Sequence, residues 1–217
     1  YSIEVADYLM HQGIKMLVIA CNTATAHAYE ALRQKLSVPV VGVIEPGALA
    51  LLQATRNRRV GIIGTRSTIR SGSYEQALKA RDPDLSVFSK ACPLFVPLIE
   101  EGWLDKKITA LVIEEYLSEM VREEIDSIVL GCTHYPLLRP AIQKIYPDLQ
   151  LIDSSIEVAR TVATELTEKG MQRPDTRERG RLRILLTDVT DQLRQLEQLF
   201  LGMAVEHLEE VQIDPHV

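Results

Sequence analysis

Asp126-Ser127-Ile128-Val129-Leu130-Gly131-Cys132-Thr133-His134-Tyr135-Pro136 is the stretch that decides the fold. Its apolar run is short and continuous rather than alternating, as in a strand buried on both faces. The run passes directly into a small residue, a thiol, a hydroxyl and an imidazole. Far upstream the chain does nearly the same in Lys15-Met16-Leu17-Val18-Ile19-Ala20-Cys21-Asn22-Thr23. Strands of this kind alternating with helices make parallel sheets covered on both faces, an α/β fold. Such sheets bind ligands beyond the carboxyl ends of their strands, where Cys21, Thr65 and Cys132 all fall.

Working outward, residues 2–12 carry Ile3, Ala6, Leu9 and Met10 at helical spacing, closed by Gly13. A strand is expected over 15–20. A helix follows over 23–35, with Ala24, Ala28, Ala31 and Leu32 inward. The next strand covers 38–44, with Pro39 near its start, and Glu45-Pro46-Gly47 opens a helix to about residue 55. Arg56, Arg58 and Arg59 read as a solvated turn before a strand over 60–64. The hydroxyl-rich segment from Thr65 to Gly72 then opens a helix to about residue 80. Unpaired N–H groups at that junction can hold a carboxylate or phosphate, or can simply be capped by Ser or Thr. It has neither the lysine of a P-loop nor the glycine spacing of a dinucleotide site.

Further on, a strand over 85–89 and an apolar run ending in Glu100 and Glu101 precede a helix over 105–120. That helix offers Ile108, Leu111, Val112, Glu115 and Tyr116 as its inner face. After the Cys132 strand come a helix over 139–145 and a strand over 149–152. Ser154 and Ser155 cap a helix to about residue 169, with Glu157 in capping-box position. A polar loop spans 171–183, and a strand over 182–187, a helix over 189–200 and a closing strand over 205–213 complete the chain.

At 217 residues and 46% hydrophobic, the chain can bury one large or two small cores. Its 24 basic and 30 acidic residues give a net charge of −6, which favours neither nucleic acid nor an anionic membrane surface. No apolar run is long enough to span a bilayer, and no signal peptide is visible. Cys21, Cys92 and Cys132 sit far apart, with no CxxC and no Cys/His pair at zinc spacing. Three unpaired cysteines in such a chain fit reduced thiols in a cytoplasm. Cys92 reads as plain packing.

A thiol where a strand meets a helix feels the helix's positive end, which favours thiolate. A thiolate can take a proton from carbon, and a thiol opposite can return one on the other face. The pair inverts a stereocentre without a cofactor, each transfer contributing roughly a hundred- to ten-thousand-fold. His134 either assists Cys132 or is a loop residue satisfied locally.

At these residues the sequence resembles the glutamate racemase family. The resemblance rests on Ala20-Cys21-Asn22-Thr23-Ala24 paired with Gly131-Cys132-Thr133-His134-Tyr135-Pro136. Gly42-Val43-Ile44-Glu45-Pro46-Gly47, Gly64-Thr65 and the segment from Ala91 to Leu98 extend it over essentially the whole chain. It implies that Cys21 serves the D-glutamate face and Cys132 the L-glutamate face. It also implies that His134 and Glu100 move protons around Cys132, and that Asn22, Thr23, Thr65, Thr133 and His134 hold the substrate. No cofactor or metal is implied. The partner is glutamate, with neither nucleic acid nor membrane, and a second copy of the chain is a candidate homodimer partner. The product, D-glutamate, would supply peptidoglycan synthesis and so cell-wall biogenesis and cell shape.

Two similar domains with the site between them are implied, residues 1–45 with 155–217 and residues 46–154. Family members also carry an Asp-Ser strand end and a Pro-Tyr-Gly turn ahead of the matched region, and neither stands ahead of the Cys21 strand here. The expectation is a chain less active than a full family member, with the Cys21 side the poorer in helpers. Aspartate racemase, another two-cysteine amino-acid racemase and a truncated, non-catalytic carboxylate-binding module are the alternatives.

Overall fold

Aliphatic runs bounded by polar turns fold here into short parallel strands flanked by helices. The computed structural model describes residues 1–174, 180–188, 200, 202 and 208–213. In order the elements are α1 (Ser2–His11), β1 (Leu17–Ile19), α2 (Asn22–Lys35), β2 (Val40–Gly42), α3 (Ile44–Ala54) and β3 (Arg59–Gly64). They continue as α4 (Arg66–Ser71), α5 (Ser73–Lys79), β4 (Ser86–Ala91), α6 (Phe95–Glu100), α7 (Lys107–Arg122) and β5 (Ser127–Gly131). A 3-10 turn (Tyr135–Leu138) leads to α8 (Arg139–Ile145), β6 (Gln150–Ile152), α9 (Ser154–Glu168), β7 (Ile184–Leu186) and β8 (Leu208–Glu210).

Four parallel strands in the order β4-β3-β5-β6 form the main sheet, while β1-β2 and β7-β8 are parallel pairs. β5 lies inside the main sheet, and every one of its residues is buried. Side chains alternate across a strand. Ile128 and Leu130 therefore join one core with Phe95, Ile99, Ile113, Leu117, Tyr135 and Ile142, while Val129 joins the other with Leu51, Ile62, Tyr74 and Leu78. That two-sided burial is why the run reads as continuous. A third core holds Ala6, Leu17, Ile19, Leu32 and Val40 beneath β1.

Several local expectations shift. Val18 is 38% exposed between buried Leu17 and Ile19, so β1 is covered on one face only among the described residues. On α2, Ala31 faces outward, whereas Thr25 is buried because its hydroxyl donates to the Ile19 carbonyl at 2.9 Å. The inner face of α7 is Thr109, Ile113, Leu117 and Met120, while Ile108 and Leu111 point out. Thr109 can turn inward because its hydroxyl donates to the Trp103 carbonyl, so no polar group is stranded.

The helix expected over 65–80 breaks at Gly72, whose φ of +67° suits glycine, into α4 and α5. Asp153, not Ser154, caps α9, accepting from the Ser155 N–H at 2.9 Å, and Glu157 pairs with Arg160 instead. Arg58 binds Asp82, and Arg59 pairs with Glu123 and lies over Phe88, so both arginines clamp the start of β3 rather than only facing solvent. The helix expected over 189–200 falls almost wholly outside the described residues, as does the 205–207 part of the closing strand.

Candidate active site

Adjacent strands deliver the site. β3 and β5 are paired with Gly64 opposite Gly131, so the residues that follow, Thr65 and Cys132, leave the sheet side by side. Gly131 permits that approach: a Cβ there would lie 2.6 Å from the Ile63 carbonyl oxygen. Thr65 caps α4, its hydroxyl accepting from the Thr68 N–H at 3.2 Å. Beyond Cys132, the 3-10 turn is fixed where Tyr135 donates its hydroxyl to the Cys92 carbonyl at 2.8 Å and meets Phe95 edge-on at 5.2 Å.

Cys21 occupies the N-cap of α2, with extended backbone (φ −79°, ψ 125°), and its thiol is exposed. The first turn of α2 reaches across to the main sheet. Thr23 Oγ1 lies 3.0 Å from both Thr65 Oγ1 and Thr68 Oγ1, which are themselves 3.1 Å apart. This hydroxyl cluster ties the segment bearing Cys21 to the strand next to Cys132. The neighbouring Asn22 is buried and accepts a hydrogen bond at Oδ1 from the Tyr74 hydroxyl at 2.7 Å. Its Nδ2 is buried with no hydrogen-bond partner among the described residues.

Cys132 is the enclosed thiol, 8% exposed. Burial pushes it above the ordinary thiol range. The His134 and Tyr135 N–H groups and the Thr133 hydroxyl oppose the rise, whereas Cys21 lies close enough for its charge to add to it. His134 Nδ1 stands 3.9 Å from Cys132 Sγ and 3.3 Å from Thr133 Oγ1, and His134 Nε2 is 3.2 Å from Glu100 Oε1. A carboxylate at Nε2 orients the ring so that Nδ1 faces the thiol. Phe200 meets the imidazole edge-on at 4.9 Å.

The predicted residues fall into three hydrogen-bonded groups, Thr23 with Thr65 and Thr68, Asn22 with Tyr74, and Cys132 and Thr133 with His134 and Glu100, while Cys21 reaches Cys132 through its charge. Thr68 could have been found as the second threonine of Thr65-Arg66-Ser67-Thr68, one helical turn beyond the cap. Tyr74 carries no local signal. Cys92 is fully buried, with its thiol donating weakly to the Lys90 carbonyl at 3.7 Å, and burial pushes it far up.

A cavity of about 640 Å³ lies among α2, α3, α5 and α9, lined by Tyr29, Glu45, Gln76, Arg81 and Glu165, and none of the predicted site residues lines it. Among the described residues, no group of three or more His, Cys, Asp or Glu is placed to hold a metal, and no helix is long and apolar enough to cross a membrane.

Residues 2–162 match the family model described as Asp/Glu/Hydantoin racemase. The chain is 46% identical over 213 residues to the glutamate racemase of Persephonella marina, covering 98% of this chain and 79% of that protein. Against the glutamate racemase of Geobacter metallireducens it is 49% identical over 203 residues, covering 93% and 75%. Its structure resembles that of Francisella tularensis glutamate racemase, solved in complex with D-glutamate, with a TM-score of 0.91 at 33% identity, covering 98% of this chain and 79% of that one.

Proposed function

Because the chain belongs to the Asp/Glu/hydantoin racemase family, we propose that it interconverts L- and D-glutamate by moving a proton between two thiols. The observation that carries this reading is that Cys21, on the helix turn tied to Thr65 by Thr23, lies close enough to act electrostatically on Cys132, which has a histidine and a carboxylate behind it. From L-glutamate, Cys132 thiolate takes the α-proton and becomes a thiol, leaving a planar carbanion. Cys21 thiol then gives its proton to the opposite face and becomes thiolate. The reverse passage begins at Cys21.

His134, held by Glu100, returns Cys132 to its working protonation state between turnovers. Asn22, Thr23, Thr65 and Thr133 supply donors for the amino-acid carboxylates. The reading keeps the division into residues 1–45 with 155–217 and residues 46–154, glutamate lying between the two domains. It also keeps cofactor independence and peptidoglycan synthesis as the use of D-glutamate, both implied by the family resemblance, a cytoplasmic place read from the cysteines, and a second copy of the chain as a candidate partner.

The test is deuterium wash-in at the α-carbon in heavy water, started separately from L- and D-glutamate and followed by proton NMR. Exchange with inversion from both enantiomers is the expected result. Exchange of aspartate but not glutamate moves the chain to the aspartate reading. Tight glutamate binding without exchange makes it a carboxylate-binding module.

A further inference from the structure

Tyr74 is, with Tyr135, one of the two largest fully buried side chains among the described residues, and it lies against the residues that flank both thiols. Its hydroxyl donates to Oδ1 of Asn22, the residue after Cys21, at 2.7 Å. Its ring borders Gly131, the residue before Cys132, where an added Cβ would come within 3.4 Å of the Tyr74 Cε2 atom. Gly47 on α3 closes the other side: a Cβ there would stand 3.0 Å from the hydroxyl and 3.3 Å from the ring. Ser154, at the start of α9, borders the same gap, its Cβ 3.1 Å from where a Cβ on Gly47 would stand. Four elements therefore converge on one tyrosine that the proton transfer does not use.

We infer that Tyr74 is a positioning residue, fixing the orientation of the Asn22 amide and the seating of the Cys21 turn relative to Cys132. The inference rests on the racemase reading for its kinetic consequence, though not for its geometry. An amide has one acceptor end and one donor end. With Oδ1 taken by Tyr74, Nδ2 is turned away from the tyrosine as an unused donor. A buried donor without a partner is uncommon in folded chains and calls for an explanation. A carboxylate group of the bound amino acid supplies the missing acceptor. The phenol suits its task because burial keeps it protonated across the working pH range, so it always donates.

Tyr74→Phe keeps the ring and removes only the hydroxyl. It is expected to lower kcat/KM for glutamate about tenfold, mainly through KM, since one buried hydrogen bond is at stake. If Tyr74 acts through Asn22, the Tyr74→Phe/Asn22→Ala double variant is no slower than Asn22→Ala alone. Losses that multiply, or an unchanged kcat/KM in Tyr74→Phe, overturn the inference. A second variant, Asn22→Asp, keeps the acceptor for Tyr74 and deletes the donor. It is expected to raise KM with kcat little changed, and a wild-type KM there overturns the donor role.

A readout independent of turnover is the Asn22 side-chain amide pair in the ¹⁵N spectrum without glutamate, assigned by its loss in Asn22→Ala. It should shift in Tyr74→Phe, and an unmoved pair overturns the positioning role. If the unmutated chain exchanges no glutamate proton, the racemase reading fails, and this spectrum still decides whether Tyr74 holds Asn22.

Discussion

The two thiol-bearing strand ends share a sequence pattern and differ in what stands behind them. Cys132 ends an internal strand that is buried throughout, and His134 and Glu100 lie in line with its sulfur. Cys21 ends a three-residue strand with Val18 and Ala20 exposed, and its thiol faces solvent at the start of α2. Burial opposes a thiolate at Cys132, and the imidazole of His134 stands 3.9 Å from its sulfur. On the other side, Cys21 has only the first turn of a 14-residue helix and solvent beside it among the described residues. A shared motif therefore places the same atom twice and leaves its proton chemistry to the surroundings.

Removing either thiol is the harshest test of that division. Cys21→Ala and Cys132→Ala should each lower racemisation by about a hundred- to ten-thousand-fold. Wash-in without inversion should survive on one side only, from L-glutamate in Cys21→Ala and from D-glutamate in Cys132→Ala. If both variants lose both exchanges, the thiols do not work as separable bases. The raised Cys132 thiol adds a pH signature. Its thiolate fraction is still growing above about pH 8.5, the ordinary value. kcat/KM from L-glutamate should therefore keep climbing there.

The small residue ahead of each cysteine gives the next largest contrast. At Gly131 a methyl group meets a backbone oxygen that cannot step aside. Gly131→Ala should cost about 2–3 kcal/mol in urea unfolding. Ala20 is exposed, and Ala20→Ser should stay within about 0.5 kcal/mol. Equal costs would mean that the two junctions are packed alike after all.

These contrasts also mark how far the sequence is legible. The α/β alternation and the position of β5 are readable because burial on both faces leaves an unbroken apolar run. β1 writes nearly the same run, yet Val18 is exposed, because a local run does not say how many neighbours cover a strand. The face of α7 is displaced by one residue because Thr109 finds its acceptor on Trp103, a contact made by the loop and not by the helical period. Cys21, Cys132 and His134 stand out in their motifs. Glu100 is 34 residues from His134, and its reach to the imidazole depends on where α6 ends. Tyr74 and Phe200 touch the site only through the tertiary fold, so no spacing announces them.

A gentler probe of the Cys132 side is Glu100→Gln, which keeps the shape and removes the charge that orients His134. About a tenfold loss is expected in proton removal from L-glutamate, with D-glutamate wash-in through Cys21 unchanged. Equal losses on both sides would mean that Glu100 serves the site as a whole and not the buried thiol.

The smallest expected effect lies at the other end of the Cys132 strand. Burial works to raise the Asp126 carboxyl, yet the Arg56 and Asn57 N–H groups at 2.6 and 2.8 Å and the Thr55 and Ser127 hydroxyls hold it below the usual carboxylate range. A depressed folded value means stability that is present above the unfolded value of about 3.9 and lost as pH falls through the folded one. Asp126→Asn should therefore cost about 1 kcal/mol at pH 7, reduced by its partial exposure, and the gap from the parent should close below about pH 4. Because Asp126 anchors the foot of β5, six residues before Cys132, kcat/KM should not change. A fall in turnover at unchanged stability would show that strain at the foot of the strand reaches the thiol. The Cys132 end would then be less rigid than its burial implies, and the contrast with Cys21 would narrow to the histidine and carboxylate alone.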